Sequence, residues 1–487
     1  MQKSLLTLAA LALLGGCSLA PVYERPAAPV SQGWPAGQAY QGLPAAAADA
    51  RPVSEIQWRE YFADQRLRRV IELALANNRD LRVSVLNIER ARAQYNISSA
   101  PLLPTVSASG GQNATRTPAN MTGTGEAAIT RQYSAGVGLA AYELDFFGKL
   151  RNASEAGLQT YLGSEEARRT QQISLVAEVA NAWLTLTADQ QRLKLAQDTL
   201  QSQQTTYDLS RKRFDAGATS GVNVYDAQTS VEAARNDVAT FTAQVALDQN
   251  ALNLLVGSAV PAELLPQGEL VAVTQLTALP TGLPSDLLQR RPDVQQAERA
   301  LRAANANIGV ARAAFFPSIT LTASGGSASR DLSGLFKAGS GTWNFAPQIN
   351  LPIFDGGVNR ANLNIAKADR DISVAQYEKS IQVAFREVAD ALATRGTIDE
   401  RLNSQQALVE AAEKSFRIND ARYRSGADTY LNALVSQRAL YSAQQGLITT
   451  RLNQTSNAVT LYKVLGGGWQ PETPAAAAAT PAAAPQG

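Results

Sequence analysis

Very few side chains in this chain of 487 residues could carry out chemistry. The chain contains no histidine, a single cysteine and 42 carboxylates, and no pair of carboxylates is marked out by its surroundings. Histidine-dependent triads, histidine metal sites, internal disulfides and thiolate zinc clusters are therefore excluded. A net charge of +2 gives no electrostatic case for nucleic acid binding. The composition disfavours an enzyme, and we predict no catalytic residue, metal site or cofactor.

The single cysteine, Cys17, stands where an acylated N-terminus would lie. Lys3 precedes an apolar run over residues 5–14, and two glycines separate that run from the cysteine. This pattern is typical of a secretory signal, and the run is too short to span a bilayer. It resembles a bacterial lipoprotein box, in which the cysteine is lipidated, and Ser18 then favours sorting to the outer membrane. The alternative is a plain signal peptide with an incidental cysteine.

The elements that would have to position any site are built twice. The stretch from Arg213 to Gly257 recurs from Arg422 to Gly466 at a constant offset of 209, and each copy begins with an Arg-aromatic-x-x-Gly-Ala turn. The glycine of each turn, Gly217 or Gly426, can adopt positive φ and lets a long helix reverse. Each copy therefore ends in a helical hairpin, and the two copies can share one core.

The segments that flank these turns predict unusually long helices. No proline occurs between Pro118 and Pro261, and the pattern from Lys149 to Phe214 is helical throughout. About 65 residues at 1.5 Å each predict roughly 100 Å, and the segment is too long and too polar for a bilayer. Apolar residues recur at steps of three and four, which favours a left-handed coiled coil over an ordinary helix pair in a globular core.

Two segments in each copy alternate between apolar and small polar residues and predict β-strands. They are 105–112 and 133–141 in the first copy and 318–323 and 343–353 in the second, separated by a turn-rich segment (115–130) and a glycine-rich loop (325–341). One apolar face per strand is typical of a half-buried or lipid-facing strand. Pro347 and Pro352 predict a bend or a missing ladder bond in the last strand.

The number of predicted strands has a consequence for assembly. Four strands cannot close a barrel, and a membrane accepts only closed barrels, so strands that lie in a membrane would require oligomerisation. Two copies give eight strands, whose interior fills with side chains, whereas three give twelve, which can leave a lumen. The long helices would then project into the periplasm. We therefore predict a short barrel continued by a helical tube whose polar inner faces form a water-filled conduit.

The sequence divides into six segments. They are a signal peptide (1–16), a lipidated N-terminal tether (17–52), a first repeat (53–260), a linker (261–284), a second repeat (285–468) and a Pro/Ala-rich tail predicted to be disordered (469–487). Each repeat is predicted to contain one helix, two strands and a long helical hairpin.

Several motifs together resemble the outer membrane factor family of tripartite efflux pumps, the TolC-like channels, and most of all their OprM-like lipoprotein branch. The resemblance covers nearly the whole chain, from Cys17 to about Trp469. The motifs that carry it are Trp58-Arg59-Glu60-Tyr61-Phe62, Asn78-Arg79-Asp80-Leu81, the segments 142–148 and 282–288, Arg291-Pro292-Asp293, Ala314-Phe315-Phe316-Pro317-Ser318 and Leu351-Pro352-Ile353-Phe354. They are specific in combination and weak singly.

The resemblance implies a fold and a function. It implies a mainly α-helical homotrimer with four strands per chain in a shared twelve-strand β-barrel, continued by a twelve-helix periplasmic tunnel. It implies a passive, lipid-anchored exit channel for multidrug efflux in the bacterial outer membrane, in partnership with a periplasmic adaptor and an inner-membrane, proton-driven RND-type transporter. The alternatives are an exit duct for type I protein secretion and a structural coiled-coil surface protein without a pore.

The resemblance also assigns a role to the hairpin tips. Gly217 and Ala218 at the first tip, and Gly426 and Ala427 at the second, would contact the adaptor. The same residues could instead do no more than reverse the chain, and both readings can hold together.

The resemblance places the periplasmic aperture beside the second tip, at Tyr423, Leu431 and Arg438. A carboxylate that is frequent in the family four residues after the leucine is missing, because Val435 stands there. Asp226, the counterpart of that position at the offset of 209, is predicted to pair with Arg438 instead. Alternatively, Leu431 holds the aperture, or Arg438 is a solvated helix residue.

Overall fold

The computed structural model describes residues 18–41, 51, 53–268, 270 and 289–468. The predicted signal peptide, the acylation site Cys17, the motif 282–288 and the C-terminal tail lie outside the described residues. Within them, the chain is mainly helical with one small antiparallel sheet, as the sequence predicts.

Long helices dominate the described chain. The helices are α1 Trp58–Tyr61, α2 Gln65–Asn77, α3 Arg79–Ser99, α4 Lys149–Asp215, α5 Gly221–Val256, α6 Pro292–Ala313, α7 Val358–Arg424 and α8 Tyr430–Val464. Both α4 and α7 contain 67 residues, so the long helix predicted before the first turn is confirmed, and its repeat matches it. Over the described residues, none of the helices combines the length and apolar character needed to cross a membrane.

Four strands form a single antiparallel sheet in the described residues. They are β1 Val106–Thr117, β2 Ala128–Leu144, β3 Ser318–Ser329 and β4 Gly341–Asn350, in the spatial order β1-β2-β3-β4. The central pair, β2 and β3, joins one strand from each repeat. The outer strands β1 and β4 each have one edge that no described strand of this chain covers.

The strands are longer than predicted on the side of the connecting loops. β1 continues to Thr117, and β3 continues through Gly325 and Gly326 to Ser329, so the predicted glycine-rich loop is wrong in its first five residues. At Gly326 the neighbouring backbone approaches closely, because a Cβ there would lie 2.3 Å from the carbonyl oxygen of Ala135. Glycine inside a strand often marks such an approach.

Two irregularities interrupt the predicted alternation. A bulge between Leu139 and Tyr142 changes the register, and Ala141 within it has φ 51°, so Ala141 does not continue the apolar face. The last strand ends before Pro352, whereas Pro347 remains within it. An outer strand tolerates proline because one of its edges has no ladder partner.

The described chain forms two compact units, each built from both repeats. The first comprises the N-terminal residues through Ala27, Leu86–Glu165 and Gln296–Glu378, and contains the sheet; the second comprises Ala28–Val85, Glu166–Gln295 and the residues from Lys379 onward. The units therefore do not coincide with the two sequence repeats.

The core of the second unit joins the beginning and the end of the folded chain. The rings of Tyr61 and Tyr462 are stacked with centroids 4.0 Å apart. Tyr61 donates a hydrogen bond to the carbonyl of Ala458 at 2.7 Å, and Tyr462 donates one to the carbonyl of Ile56 at 2.6 Å. Satisfied hydroxyls let both rings bury fully in an apolar core.

The start of the predicted tether lies along α6 in the first unit. Arg312 donates a hydrogen bond to the carbonyl of Leu19 at 3.0 Å. Arg25 forms an ion pair at 2.9 Å with Glu298, whose side chain is 8% exposed. The guanidinium of Arg302 and the hydroxyl of Tyr23 also donate hydrogen bonds to the carboxylate of Glu298. This part of the tether is therefore extended but bound.

Candidate functional site

The sheet has one apolar face and one polar face. Directly opposed residues share a face, and the register gathers the apolar side chains on one side. That side carries Val106 and Ala108 of β1, Tyr133, Val137 and Leu139 of β2, Ile319, Leu321 and Ala323 of β3, and Trp343, Phe345 and Ile349 of β4. Trp343 is 83% exposed and Ile349 is 68% exposed, so the chain's own core leaves this face uncovered.

The polar face is the more tightly packed side of the sheet. A Cβ on Gly138 would lie 2.8 Å from the carbonyl oxygen of Ala323, and Gly326 is similarly crowded by the opposing strand. A Cβ on Gly325, which lies on the apolar face, would meet nothing within 4 Å. Between β2 and β3, the polar face therefore has room for glycine and small side chains only. The polar residues of this face are mainly serine, threonine, asparagine and glutamine.

Ion pairs lie where the strands meet the helices. Lys149 lies 3.1 Å from the carboxylate of Glu143, and Arg151 lies 3.2 Å from that of Asp145. Asp145 also accepts a hydrogen bond from the backbone N–H of Arg151. Both acids belong to the 142–148 motif, which therefore ties the end of β2 to the first turn of α4.

The two hairpin tips share one backbone arrangement. Gly217 has φ 73° and Gly426 has φ 79°. The N–H groups of Ala218 and Ala427 each donate to the carbonyl of the arginine five residues earlier, at 2.8 and 2.9 Å. These are the outer hydrogen bonds of Schellman motifs, which end helices at a left-handed glycine. All four predicted tip residues are exposed.

An aspartate fixes the second tip from within. Asp428 accepts hydrogen bonds from the Asn432 side chain and the Thr429 N–H, both at 2.7 Å, and from Arg422 at 3.1 Å. These hydrogen bonds lower the pKa of Asp428 below its usual range, and the one from Asn432 has the largest effect. The equivalent residue of the first tip is Thr219, so that tip has no carboxylate at this position.

The arginine of the first tip instead binds the second hairpin. Arg213 donates to the carbonyl of Arg424 at 3.0 Å and to that of Tyr423 at 3.4 Å, and its guanidinium carbon lies 5.0 Å from the centre of the Tyr423 ring. These carbonyls lie in the last turn of α7, where helical carbonyls lack intrahelical donors and carry partial negative charge. Sequence patterns alone did not reveal this contact, since both tips carry the same arginine.

Tyr423 lies between the hairpins rather than at the surface. It is 6% exposed, its hydroxyl is 3.2 Å from Oγ of Ser210, and its ring is 5.4 Å from that of Tyr430. Tyr430 is 2% exposed, and its burial raises the pKa of its hydroxyl. The predicted aperture tyrosine therefore packs α4 against α7 and α8 within one chain.

The other predicted aperture residues lie on the exposed side of α8. Leu431, Val435 and Arg438 are spaced by four and three residues, which places them on one stripe. Leu431 is 58% exposed and Val435 is 57% exposed, and Arg438 is also exposed. Asp226 on α5 is half-buried. Between the described side chains of one chain, no ion pair joins Asp226 to Arg438.

A carboxyl pair between α4 and α5 was not among the predicted sites. Asp248 accepts a hydrogen bond from Gln244 at 2.9 Å, but its second oxygen, Oδ2, is buried without a partner among the described groups. Burial, followed by the proximity of Asp189, raises the pKa of Asp248 to about 6. Arg192 pairs with Asp189. The only sign of the pair in the sequence is that Asp248 interrupts the apolar heptad of its helix.

Comparison with known protein families identifies the family of this chain. The profile of the family described as "Outer membrane efflux protein" matches residues 70–258 and 283–467. The chain belongs to the outer membrane efflux protein family. The predicted family and the predicted function, outer-membrane efflux, are therefore confirmed.

Individual relatives agree with this assignment. The toluene efflux pump outer membrane protein TtgC of Pseudomonas putida is 52% identical over 474 residues, which is 97% of each chain. The outer membrane protein OprJ of Pseudomonas aeruginosa is 42% identical over 94% of each chain. The open-state crystal structure of the MtrE outer membrane channel of Neisseria gonorrhoeae superposes with a TM-score of 0.84 at 36% identity, covering 93% of this efflux protein and 99% of MtrE.

Proposed function

We propose that three copies of this chain join their sheets into a twelve-strand barrel in the outer membrane and form the passive exit channel of a tripartite multidrug efflux pump. The observation that carries the proposal is the two-faced sheet with an uncovered edge on each outer strand. An apolar face that the chain cannot bury itself requires lipid, and open edges in lipid require partner strands.

The side chains of the sheet favour three copies over two. An eight-strand barrel has an interior that side chains fill. Here the polar face carries glycines such as Gly138 and Gly326, and its other residues are mainly small and uncharged, with Glu143 at the end next to the helices. Those side chains are too small to form a packed interior and suit a wet wall, and twelve strands leave room for a lumen. A toluene efflux relative supports small apolar molecules as cargo.

The helical hairpins would meet the other pump components. The exposed tips at Gly217-Ala218 and Gly426-Ala427 would contact a periplasmic adaptor, which connects the channel to an inner-membrane RND-type transporter. Lipidation at Cys17 would anchor each copy, and the binding of the next residues along α6 supports a fixed attachment point. Ser18 lies 3.0 Å from the amide of Asn152 in the first turn of α4.

The exposed stripe on α8 supports an aperture made by several copies. Leu431 and Arg438 are both exposed in the single chain. Arg438 forms no ion pair or hydrogen bond with another described residue, so both side chains are free to contact a neighbouring copy. In a ring of three copies these side chains would approach the central axis, and Asp226 would pair with Arg438 of a neighbouring copy in place of the carboxylate that Val435 replaces.

The test uses two adjacent residues of β2 that lie on opposite faces. Ser134→Cys lies on the polar face and Ala135→Cys on the apolar face. Each full-length variant is reconstituted in a planar phospholipid bilayer and treated with a membrane-impermeant, charged thiol reagent. We expect the reagent to reduce the single-channel conductance of Ser134→Cys while leaving Ala135→Cys and the wild type unchanged. Absence of conductance in the wild type, or equal sensitivity of both variants, contradicts the proposal.

A further inference from the structure

Two arginines interrupt the apolar face of the sheet at the end that carries its hairpin loops. Arg116 of β1 is opposite Ile129, and Arg131 of β2 is opposite Ala114, so both arginines point to the apolar side. They are diagonal neighbours, which places their Cα atoms about 7–8 Å apart. Both side chains are exposed. Two like charges at this spacing repel one another unless an anion lies between them.

No described group of the chain neutralises these arginines. Neither side chain forms a hydrogen bond or an ion pair with another described residue. At the opposite end of the sheet, by contrast, Lys149 and Arg151 are paired with carboxylates at 3.1 and 3.2 Å. The chain therefore neutralises its cations where strands meet helices and leaves them free near the hairpin loops.

The loops at this end add to the positive charge. The β3–β4 loop carries Arg330 and Lys337, both exposed and without an ion-pair partner among the described residues. The only carboxylates in the two hairpin loops belong to Glu126 and Asp331. Four cations thus face two anions at this end of the sheet.

The position of the arginine pair along the strands matches the depth at which lipid headgroups lie. The apolar face of β2 runs from Leu144, which is opposite Ile319, to Tyr133, which is opposite Ser329. Ten residues at about 3.4 Å span about 34 Å of strand, or about 26 Å across the membrane at a tilt of about 40°, close to the usual apolar band. Arg131 and Arg116 lie two and four residue pairs beyond Tyr133, where headgroups begin.

We propose that Arg116 and Arg131 form a binding site for the phosphate groups of a phosphorylated glycolipid of the outer leaflet, of the lipid A class. Arginine binds phosphate oxygens through two parallel N–H donors, and two guanidiniums side by side match a doubly charged phosphate. The site rests on the proposed function, because it requires the apolar face to meet lipid and the hairpin loops to lie outside. Each copy in the assembly would carry one such site.

The site is tested on the full-length protein in detergent. Native mass spectrometry measures binding of diphosphoryl lipid A and of its dephosphorylated form to the wild type and to three double variants. Arg116→Gln/Arg131→Gln removes the site, Arg116→Lys/Arg131→Lys keeps its charge, and Arg82→Gln/Arg90→Gln removes two exposed charges from α3 as a matched control. We expect the first variant to bind diphosphoryl lipid A about tenfold more weakly, as the loss of two exposed charge contacts predicts. The lysine variant should bind with an affinity between that of the first variant and that of the wild type, because it keeps the charges and loses the paired donors. The control variant should bind like the wild type.

Three results would overturn the site: equal affinity of the wild type and the Arg116→Gln/Arg131→Gln variant, equal affinity for the dephosphorylated lipid, or equal weakening in the control variant. Conductance in bilayers that lack lipid A separates this proposal from the proposed function. The wild type and Arg116→Gln/Arg131→Gln should conduct equally there. A wild type that does not conduct contradicts the channel itself, whereas equal lipid affinities contradict only the arginine site.

Discussion

Arg213 lies 3.0 Å from the carbonyl oxygen of Arg424, so the tip of one hairpin holds the last helical turn that leads into the other. The equivalent arginine, Arg422, pairs with Asp428 of its own tip at 3.1 Å. One sequence motif therefore makes a contact between hairpins in the first copy and a contact within a hairpin in the second.

Replacing Arg213 should loosen the two hairpins from each other. Arg213→Gln removes two hydrogen bonds to helix-terminal carbonyls and the contact with the Tyr423 ring, together worth about 1–2 kcal/mol at a partly exposed site. We expect a higher resting conductance in planar bilayers and faster amide hydrogen exchange over residues 423–430. Arg422→Gln is the matched control and should change the exchange of its own tip with little effect on conductance. Equal conductance changes in both variants would contradict a specific role for Arg213.

The aperture pairing is tested by two substitutions that remove its opposite partners. If Asp226 and Arg438 pair between copies, Asp226→Asn and Arg438→Ala should raise the resting conductance by similar amounts, and the double variant should add little further, because each single change breaks the same contact. Arg417→Ala, an exposed arginine on α7, controls for the loss of a charge. An Arg438→Ala channel that conducts like the wild type would remove the arginine from the aperture and leave Leu431 as the candidate.

Adjacent glycines in β3 should differ sharply in their tolerance of a methyl group. Gly326→Ala places a Cβ 2.3 Å from the carbonyl oxygen of Ala135, so β2 and β3 must separate, at a cost of about 1–3 kcal/mol. Gly325→Ala meets nothing within 4 Å and is the matched control. We expect less Gly326→Ala protein in the outer membrane fraction and a lower thermal stability, with Gly325→Ala close to the wild type. Equal behaviour of both variants would show that the polar face is not the crowded side.

The carboxyl pair of α4 and α5 should make stability depend on pH. Asp248 titrates at about 6 in the folded chain and at about 3.9 when unfolded, so the folded state holds the extra proton between these values. The free energy of unfolding attributable to this group is therefore fully present below about pH 4 and is lost as pH rises through about 6. The loss should be about 1 kcal/mol, because the carboxyl is only partly buried and solvent screens part of the interaction.

Replacing the carboxyl with an amide should remove that dependence. Asp248→Asn should be more stable than the wild type at pH 8. Its thermal unfolding midpoint should change less between pH 4 and pH 6 than that of the wild type. The exposed Glu410→Gln makes the same change in charge and serves as the control. A wild-type slope that persists in Asp248→Asn would assign the pH dependence to other groups.

Periodicity predicted the elements because it depends only on local geometry. The pattern from Lys149 to Phe214 placed a helix that the structure ends one residue later, and the alternation in β4 placed Trp343 and Ile349 on the same face. The same reasoning failed where a distant strand decides the conformation. Gly325 and Gly326 read as a loop on local propensity, but their strand pairs with residues almost 190 positions earlier.

The candidate site was predictable in outline and not in its contacts. The tips followed from the conformational freedom of Gly217 and Gly426, which requires no knowledge of neighbours. The burial of Tyr423 and the reach of Arg213 depend on how two hairpins lie side by side, and the two tips have nearly the same sequence. The proximity of Asp248 to Asp189 likewise depends on the contact between α4 and α5. The interruption of one heptad by Asp248 does not predict which residue of α4 lies beside it.

The central pairing of the sheet links Leu144 to Ile319, 175 positions apart in the chain. Because contacts at such separation require a long loop to close first, the sheet cannot be completed until the polypeptide has been exported through β4, which ends at Asn350. A chain that stops after the first repeat would present an unpaired, water-exposed hydrophobic hairpin to periplasmic proteases. The topology therefore requires both repeats for the sheet to form, since its central pair takes one strand from each.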